Sequence, residues 1–193
     1  MKKIAVFCGS SLGKNEVYRE QARLLGETIA RLGIGLVYGG GNVGLMKYVA
    51  DGAIRQGGEV TGVIPAFLNK EEIAHAGLTE LIVVETMHER KAKMNELSDG
   101  IIALPGGYGT MEEFFEMITW GQLHLHQKPV AILNTNGFYN PLIRQVETML
   151  TEGFLKEPCR ELLIVDDTIP SLLEKMRRYQ PPVFDKRLTS HSQ

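Results

Sequence analysis

The residues best suited to chemistry lie together in Leu104-Pro105-Gly106-Gly107-Tyr108-Gly109-Thr110-Met111-Glu112-Glu113. An apolar run, Gly100 to Leu104, precedes this turn. Phe114 to Leu123 follows it, with Phe114, Phe115 and Ile118 at helical spacing. The turn therefore joins a strand to a helix. Glycine has no Cβ, so Gly106, Gly107 and Gly109 are expected to take positive φ and bring the backbone close to a ligand. Thr110 is expected at the helix N-cap, with Glu113 completing a capping box. The free N–H groups and positive dipole end of a helix start attract an anion, most simply a phosphate. The predicted unit is a phosphate cradle with carboxylates beside it. A plain capped connection would not need three glycines, a threonine and two consecutive glutamates.

Three other groups of residues invite the same scrutiny. Met87-His88-Glu89-Arg90-Lys91 opens a charged helix, in which Arg90 offers a planar fork for phosphate or carboxylate and Lys91 a point charge. The plain alternative is a solvated face on which Glu89 and Lys93 pair at i and i+4. Gly39-x-Gly41-x-x-Gly44 matches the dinucleotide fingerprint only formally, because it follows the second strand and not the first. The acidic ribose ligand of that fingerprint lies about 20 residues on, at the end of the next strand. Here Glu59 precedes strand three, at the opposite edge, so the glycines are expected to admit a ligand or a neighbouring loop. His88 reads as a helix-start residue, and His75, His124 and His126 do not form a metal set. Of the aromatic residues, Tyr108 is the expected ligand contact, Phe115 is assigned to the core and Trp120 to a helix-helix contact.

Elements that must position these residues follow from hydrophobic periodicity. Strands are predicted at Ile4–Cys8, Ile34–Tyr38, Val60–Ile64, Leu81–Val84, Ile101–Leu104, Val130–Leu133 and Leu162–Val165. Between them lie helices over Asn15–Leu32, from Leu45 to a stop at Gly57-Gly58, over Met87–Leu97, after the cradle, over Tyr139–Glu152 and over Ile169–Tyr179. The polar segment through Leu78 reads as a long loop with a short helix. Apolar strands alternating with amphipathic helices predict an α/β fold, a doubly wound Rossmann-like parallel sheet covered by helices on both faces. One nucleotide-binding domain over residues 1–180 is expected, with 181–193 a loose tail. Ligands of such sheets lie beyond the carboxyl ends of the strands. Gly9-Ser10, the Gly39 turn, the start of the Met87 helix and the cradle all fall on that edge.

Composition narrows the function classes. With 193 residues and a formal net charge of −2, the chain offers no basic field for a nucleic-acid polymer or a membrane surface. No apolar stretch is long enough to span a bilayer, and the run after Lys2-Lys3 is too short for a signal segment. Cys8 and Cys159 have neither metal-ligand spacing nor the look of a disulfide framework, which points to a reducing cytoplasm.

Pro105 to Glu113 fits the motif PGGxGTxxE, Met87 to Lys91 fits its partner motif, and Gly39 to Met46 resembles the segment GGGxxGLM. On these residues, over about Lys3 to Phe154, the chain resembles the Lonely guy (LOG) family of cytokinin riboside 5′-monophosphate phosphoribohydrolases. Lys47 departs from the pattern, which has Gly there. The resemblance implies hydrolysis of a nucleoside 5′-monophosphate to free base and ribose 5-phosphate, without metal or cofactor. It implies Arg90 and Glu113 as the catalytic pair, with Glu72, Lys91, Gly107, Tyr108, Gly109, Thr110, Met111, Glu112 and Thr119 in substrate binding. It also implies a homodimer with the helix after the cradle at the interface, near the site.

Breaking an N-glycosidic bond builds positive charge on the ribose, which a carboxylate stabilises. Glu113 is expected in that role, with Glu112 turned about 100° away on the helix. Phe67, Leu68, Met87 and Met94 are candidates for the base pocket. The alternatives are a nucleotide-binding module without turnover and an NAD-dependent oxidoreductase, which lacks its acidic residue here. A pyridoxal phosphate decarboxylase, the label members of this family have carried, needs a Schiff-base lysine, for which Lys91 is a poor candidate.

Overall fold

Strands that are apolar throughout must be buried on both faces, and the ladder bonds of a parallel sheet satisfy their backbone groups. The computed structural model, which describes residues 1–70, 75 and 77–183, resolves that requirement into one seven-stranded sheet. In chain order the elements are β1 (Lys3–Phe7), α1 (Glu16–Arg31), β2 (Gly35–Tyr38), α2 (Gly44–Arg55), β3 (Val60–Pro65), β4 (Glu80–Val84), α3 (Met87–Leu97), β5 (Gly100–Ala103), α4 (Tyr108–Gln122), β6 (Val130–Leu133), α5 (Asn140–Thr151), β7 (Leu163–Asp166) and α6 (Ile169–Arg178). A short 3-10 turn stands at Leu68–Lys70, within the segment read as a long loop with a short helix, the rest of which lies largely outside the described residues.

The strand order is β4-β3-β2-β1-β5-β6-β7 and every ladder is parallel. β1 lies at the centre, with Val6 beside Tyr38 of β2 on one side and Ile102 of β5 on the other. The winding reverses between β1 and β5, and that switch point opens a crevice at the carboxyl ends of the two strands. Gly9 N donates to Pro105 O at 3.1 Å and ties the two loops at its base.

Helices cover both faces. One core unites Ile4, Val6, Leu36 and Ile102 with Leu25 and Ile29 of α1, Val49 of α2 and Leu172 of α6. The other unites Ala5, Phe7, Val63 and Ile101 with Met94 of α3 and with Phe114 and Met117 of α4. Each wholly buried Leu, Ile or Phe stabilises the fold by about 1.5–3 kcal/mol.

Three local expectations are corrected. α4 starts at Tyr108, so Thr110 is the third residue of the helix and Gly107 is its N-cap; there is no capping box here. Once the helix begins that early, Phe114 faces the sheet and is buried, whereas Phe115, one position round, is 36% exposed and not core. Neither Gly106, Gly107 nor Gly109 takes positive φ, because a helix start uses ordinary dihedrals. In the expected tail, 181–183 are without regular structure and 184–193 lie outside the described residues.

Candidate active site

α3 sets the first half of the site. Thr86 Oγ1 caps α3 by accepting from Glu89 N at 3.1 Å, while Glu89 Oε2 reaches past the cap residue to accept from Glu85 N at 2.9 Å. Glu89 is thereby engaged at the helix start, and Lys93 pairs with Glu96. With α3 begun at Met87, Arg90 turns toward the strand ends and is buried. Its Nε donates to Val63 O at 3.1 Å and its Nη2 to Gly39 O at 3.0 Å, at the ends of β3 and β2. A Cβ on Gly39 would overlap the guanidinium. The first glycine turn is therefore open because Arg90 passes through it, and the loop after β1 closes on Gly44, where a Cβ would meet the Ser10 main chain.

α4 supplies the other half. Glu113, one turn into the helix, is buried, with Oε1 3.9 Å from Arg90 Nη1. Burial pushes its carboxyl up to about 7; Arg90 opposes the shift, and Glu112 and Glu116 add to it. Near neutral pH the group is poised between its two forms. Cys8 at the end of β1 shares the cavity, and its thiol is held far above the ordinary range by burial and then by Glu113, so it stays protonated.

Between these halves lies a cavity of about 220 Å³ whose lining includes Gly9, Ser10, Met46, Arg90, Thr110 and Glu113. Gly107, Tyr108 and Gly109 form its lip, Tyr108 being 97% exposed. Nothing stands within 4 Å of where a Cβ on Gly107 or Gly109 would lie. The N–H groups of Tyr108, Gly109 and Thr110, in the first turn of α4, have no helical partner, which makes them donors toward an anion.

Arg90, Glu113, Gly107, Tyr108, Gly109 and Thr110 are thus brought together. Lys91, Met111, Glu112 and Thr119 are not part of the lining. Lys91 is buried and its Nζ reaches Glu112 Oε1 and, at 2.9 Å, Glu116 Oε2. Burial disfavours its charge, but the two carboxylates outweigh burial and hold its pKa above the ordinary lysine value. Met111 packs against the second core, and Thr119 Oγ1 donates to Phe115 O at 2.7 Å on the outer side of α4. Glu72 lies outside the described residues. Met87 and Met94 line the cavity; Phe67 and Leu68 do not. Sequence reasoning missed Met46, Cys8 and Glu116. Only Glu116 left a signal, as the partner of Glu112 at i and i+4. Among the described residues no cluster of three or more His, Cys, Asp or Glu could hold a metal ion.

The chain is similar to known proteins over most of its length. The family model described as "Possible lysine decarboxylase" matches residues 46–176. A protein of Oryza sativa subsp. japonica named "Probable cytokinin riboside 5'-monophosphate phosphoribohydrolase LOGL1" is 49% identical over 177 residues, covering 92% of this chain and 79% of that protein. One from Rhodococcoides fascians, named cytokinin riboside 5'-monophosphate phosphoribohydrolase, is 48% identical over 177 residues, covering 91% of this chain and 89% of its own. Among solved structures, the molybdenum cofactor binding protein of Rippkaea orientalis superposes with a TM-score of 0.70 at 23% identity, over 92% of this chain and 96% of that one. This last likeness is one of fold. With the paired motifs and these relatives in hand, the chain belongs to the Lonely guy family, the cytokinin riboside 5′-monophosphate phosphoribohydrolases, to which the decarboxylase description is also attached.

Proposed function

We propose that this protein hydrolyses the N-glycosidic bond of a nucleoside 5′-monophosphate, such as isopentenyladenosine monophosphate or AMP, to the free base and ribose 5-phosphate. The observation that carries this is a buried carboxylate, Glu113, 3.9 Å from Arg90, in a cavity walled by the N-terminus of a helix. The names of relatives at 48–49% identity support the same activity.

In this reading the 5′-phosphate accepts hydrogen bonds from the first N–H groups of α4, and the ribose lies against Glu113. As the bond from C1′ to the base nitrogen breaks, the bonding electrons leave with the base and positive charge grows on the sugar. Ionised Glu113 stabilises that charge. Water adds hydroxide to C1′ and its other proton ends on the departing base. Guanidinium keeps its proton at working pH, so Arg90 orients Glu113 and does not act as an acid. Gly107, Tyr108, Gly109 and Thr110 make the direct contacts. We count Lys91, Met111, Glu112, Thr119 and Glu72 in substrate binding as well, on the family resemblance. Lys91 is engaged by two carboxylates, and no lysine lines the cavity among the described residues, so a Schiff-base role does not fit.

A homodimer is part of the proposal. α5 is amphipathic, yet none of its residues is buried. With α4 it walls an apolar groove lined by Phe115, Ile118, Thr119, Val146 and Met149. A second copy seated there would cover these side chains and bring Thr119 to a site shared between subunits. We also assign the protein to the cytoplasm, on its two free, buried thiols.

Incubating the purified protein with AMP and, separately, isopentenyladenosine 5′-monophosphate, with free base followed by chromatography, tests the activity. Base release by wild type and not by Glu113→Gln is the expected result. Intact nucleotide binding with no release from either compound would leave a binding module. Sedimentation equilibrium tests the dimer.

A further inference from the structure

Arg90 and Lys91 are neighbours on α3, yet their side chains run to different places. Arg90 reaches the ends of β2 and β3, while Lys91, about 100° further round the helix, crosses to α4. There its ammonium meets Glu112 and Glu116, which stand four residues apart on one face of α4. The Lys91 side chain is only 3% exposed and that of Glu116 only 24%. A buried ammonium must be paired, so this contact ties the rotation and spacing of α4 to those of α3. Lys91 adjoins Arg90 and Glu112 adjoins Glu113, so any slip at the clamp is transmitted directly to the pair in the cavity.

We propose that Glu116 is a positioning residue: with Glu112 it clamps the Lys91 ammonium between α3 and α4, and the clamp holds Glu113 at its working distance and orientation opposite Arg90. This rests on Arg90 and Glu113 being the pair that acts on the nucleotide. The charged and titratable groups facing Glu113 are Arg90 and Lys91 from α3, Glu112 and Glu116 from α4, and the Cys8 thiol from the end of β1. Loss of a carboxylate and loss of the ammonium change the charge beside Glu113 with opposite sign but open the clamp alike, so a fall of kcat in both variants, at a pH where Glu113 is fully ionised, is what positioning predicts and charge alone does not.

The experiment compares wild type, Glu116→Gln, Lys91→Met and the double variant in two ways. One is the pH dependence of base release from AMP, and the other is a 13C NMR titration of the glutamate carboxyls, with Glu113→Gln identifying the Glu113 signal. Glu116→Gln is expected to keep KM within about twofold while kcat falls about tenfold. The Glu113 midpoint should fall by about one pH unit in Glu116→Gln and rise by a similar amount in Lys91→Met. The double variant should return toward wild type. A plateau kcat within about twofold of wild type in Glu116→Gln overturns the proposal, as does a Lys91→Met defect confined to KM. Glu116→Gln is isosteric and decides the matter alone should Lys91→Met not fold. If wild type releases no base, the proposed activity fails, and the 13C chemical shift of fully ionised Glu113 still judges the clamp: a shift displaced in the same direction in both single variants upholds it, and an undisplaced one removes it.

Discussion

Two glycine-rich turns stand at the same edge of the sheet, one after β2 and one after β5, and beyond Gly106, whose missing side chain is filled by Thr110 and the Gly9 main chain, their glycines meet different surroundings. In Gly39 to Gly44 the room left by missing side chains is taken by the protein itself. Arg90 fills the space beside Gly39, the Ser10 main chain that beside Gly44, and Gly40 and Gly44 hold φ of +75° and +52°. In the turn after β5, Gly107 and Gly109 have ordinary dihedrals and face open space. Unlike the other glycines with open space beside them, Gly107 and Gly109 line the cavity that holds Arg90 and Glu113. Glycine spacing reads alike in both turns; only the neighbours separate a structural glycine from a ligand-facing one.

The contrast can be broken or sharpened by substitution. The largest effect is expected at the carboxylate that the second turn positions: Glu113→Gln should lower the turnover of base release by about a thousandfold, or about 4 kcal/mol, with nucleotide affinity retained. Steady-state kinetics and binding calorimetry check both halves. In the first turn, Gly44→Ala forces a Cβ into main chain at positive φ, and should lower unfolding stability by about 3 kcal/mol in urea titrations. An unchanged midpoint would mean the loop relaxes freely and the contrast is overstated.

A smaller effect follows from the position of Glu113 itself. Its folded pKa, about 7, lies above the ordinary carboxyl value, so the protonated form is the one that folding favours. That contribution to stability is present below the ordinary pKa and is lost as pH rises through 7. Glu113→Gln should therefore be more stable than wild type by about 2 kcal/mol at about pH 8 and equal to it at about pH 4, as read by urea unfolding. The smallest effect is expected at Gly109→Ala. The new methyl enters open space in the first turn of a helix, so stability should hold or rise by about 0.5 kcal/mol. The KM for AMP should rise about tenfold because the methyl occupies the lip of the cavity. Opposite outcomes for the two glycine variants would sharpen the contrast, and a shared loss of stability would erase it.

Much of the fold was legible because burial on both faces of a parallel sheet leaves continuous apolar runs, as in Ile4 to Phe7 and Val130 to Leu133. The strand-to-helix turn at Pro105 to Gly107 was legible too, and Glu59, which the dinucleotide pattern would need at the other edge, is engaged with Lys3 at 2.5 Å. Boundaries were less so. Thr110 followed by Glu113 has the pattern of a capping box, but Thr86 with Glu89 has it as well, and only in the second does the threonine cap its helix, with the glutamate bonding Glu85 N beyond it. Hydrogen-bond capping depends on where the chain enters the helix, which packing decides. Phe114 and Phe115 are equally apolar, and the one-residue choice between core and surface follows from that same entry point.

Residue order along the chain carries the alternation of strands and helices and the set of residue types gathered at one edge of the sheet. Local hydrophobicity and backbone preference act over a few residues and are written in order along the chain. Only the tertiary structure decided that Arg90 spends two donors on Val63 O and Gly39 O, that Lys91 turns away from the cavity to Glu112 and Glu116, and that Glu113 is buried beside Arg90. Each of these depends on groups many residues apart meeting in a region of low dielectric, where the cost of an unpaired charge, and not local propensity, selects the partner.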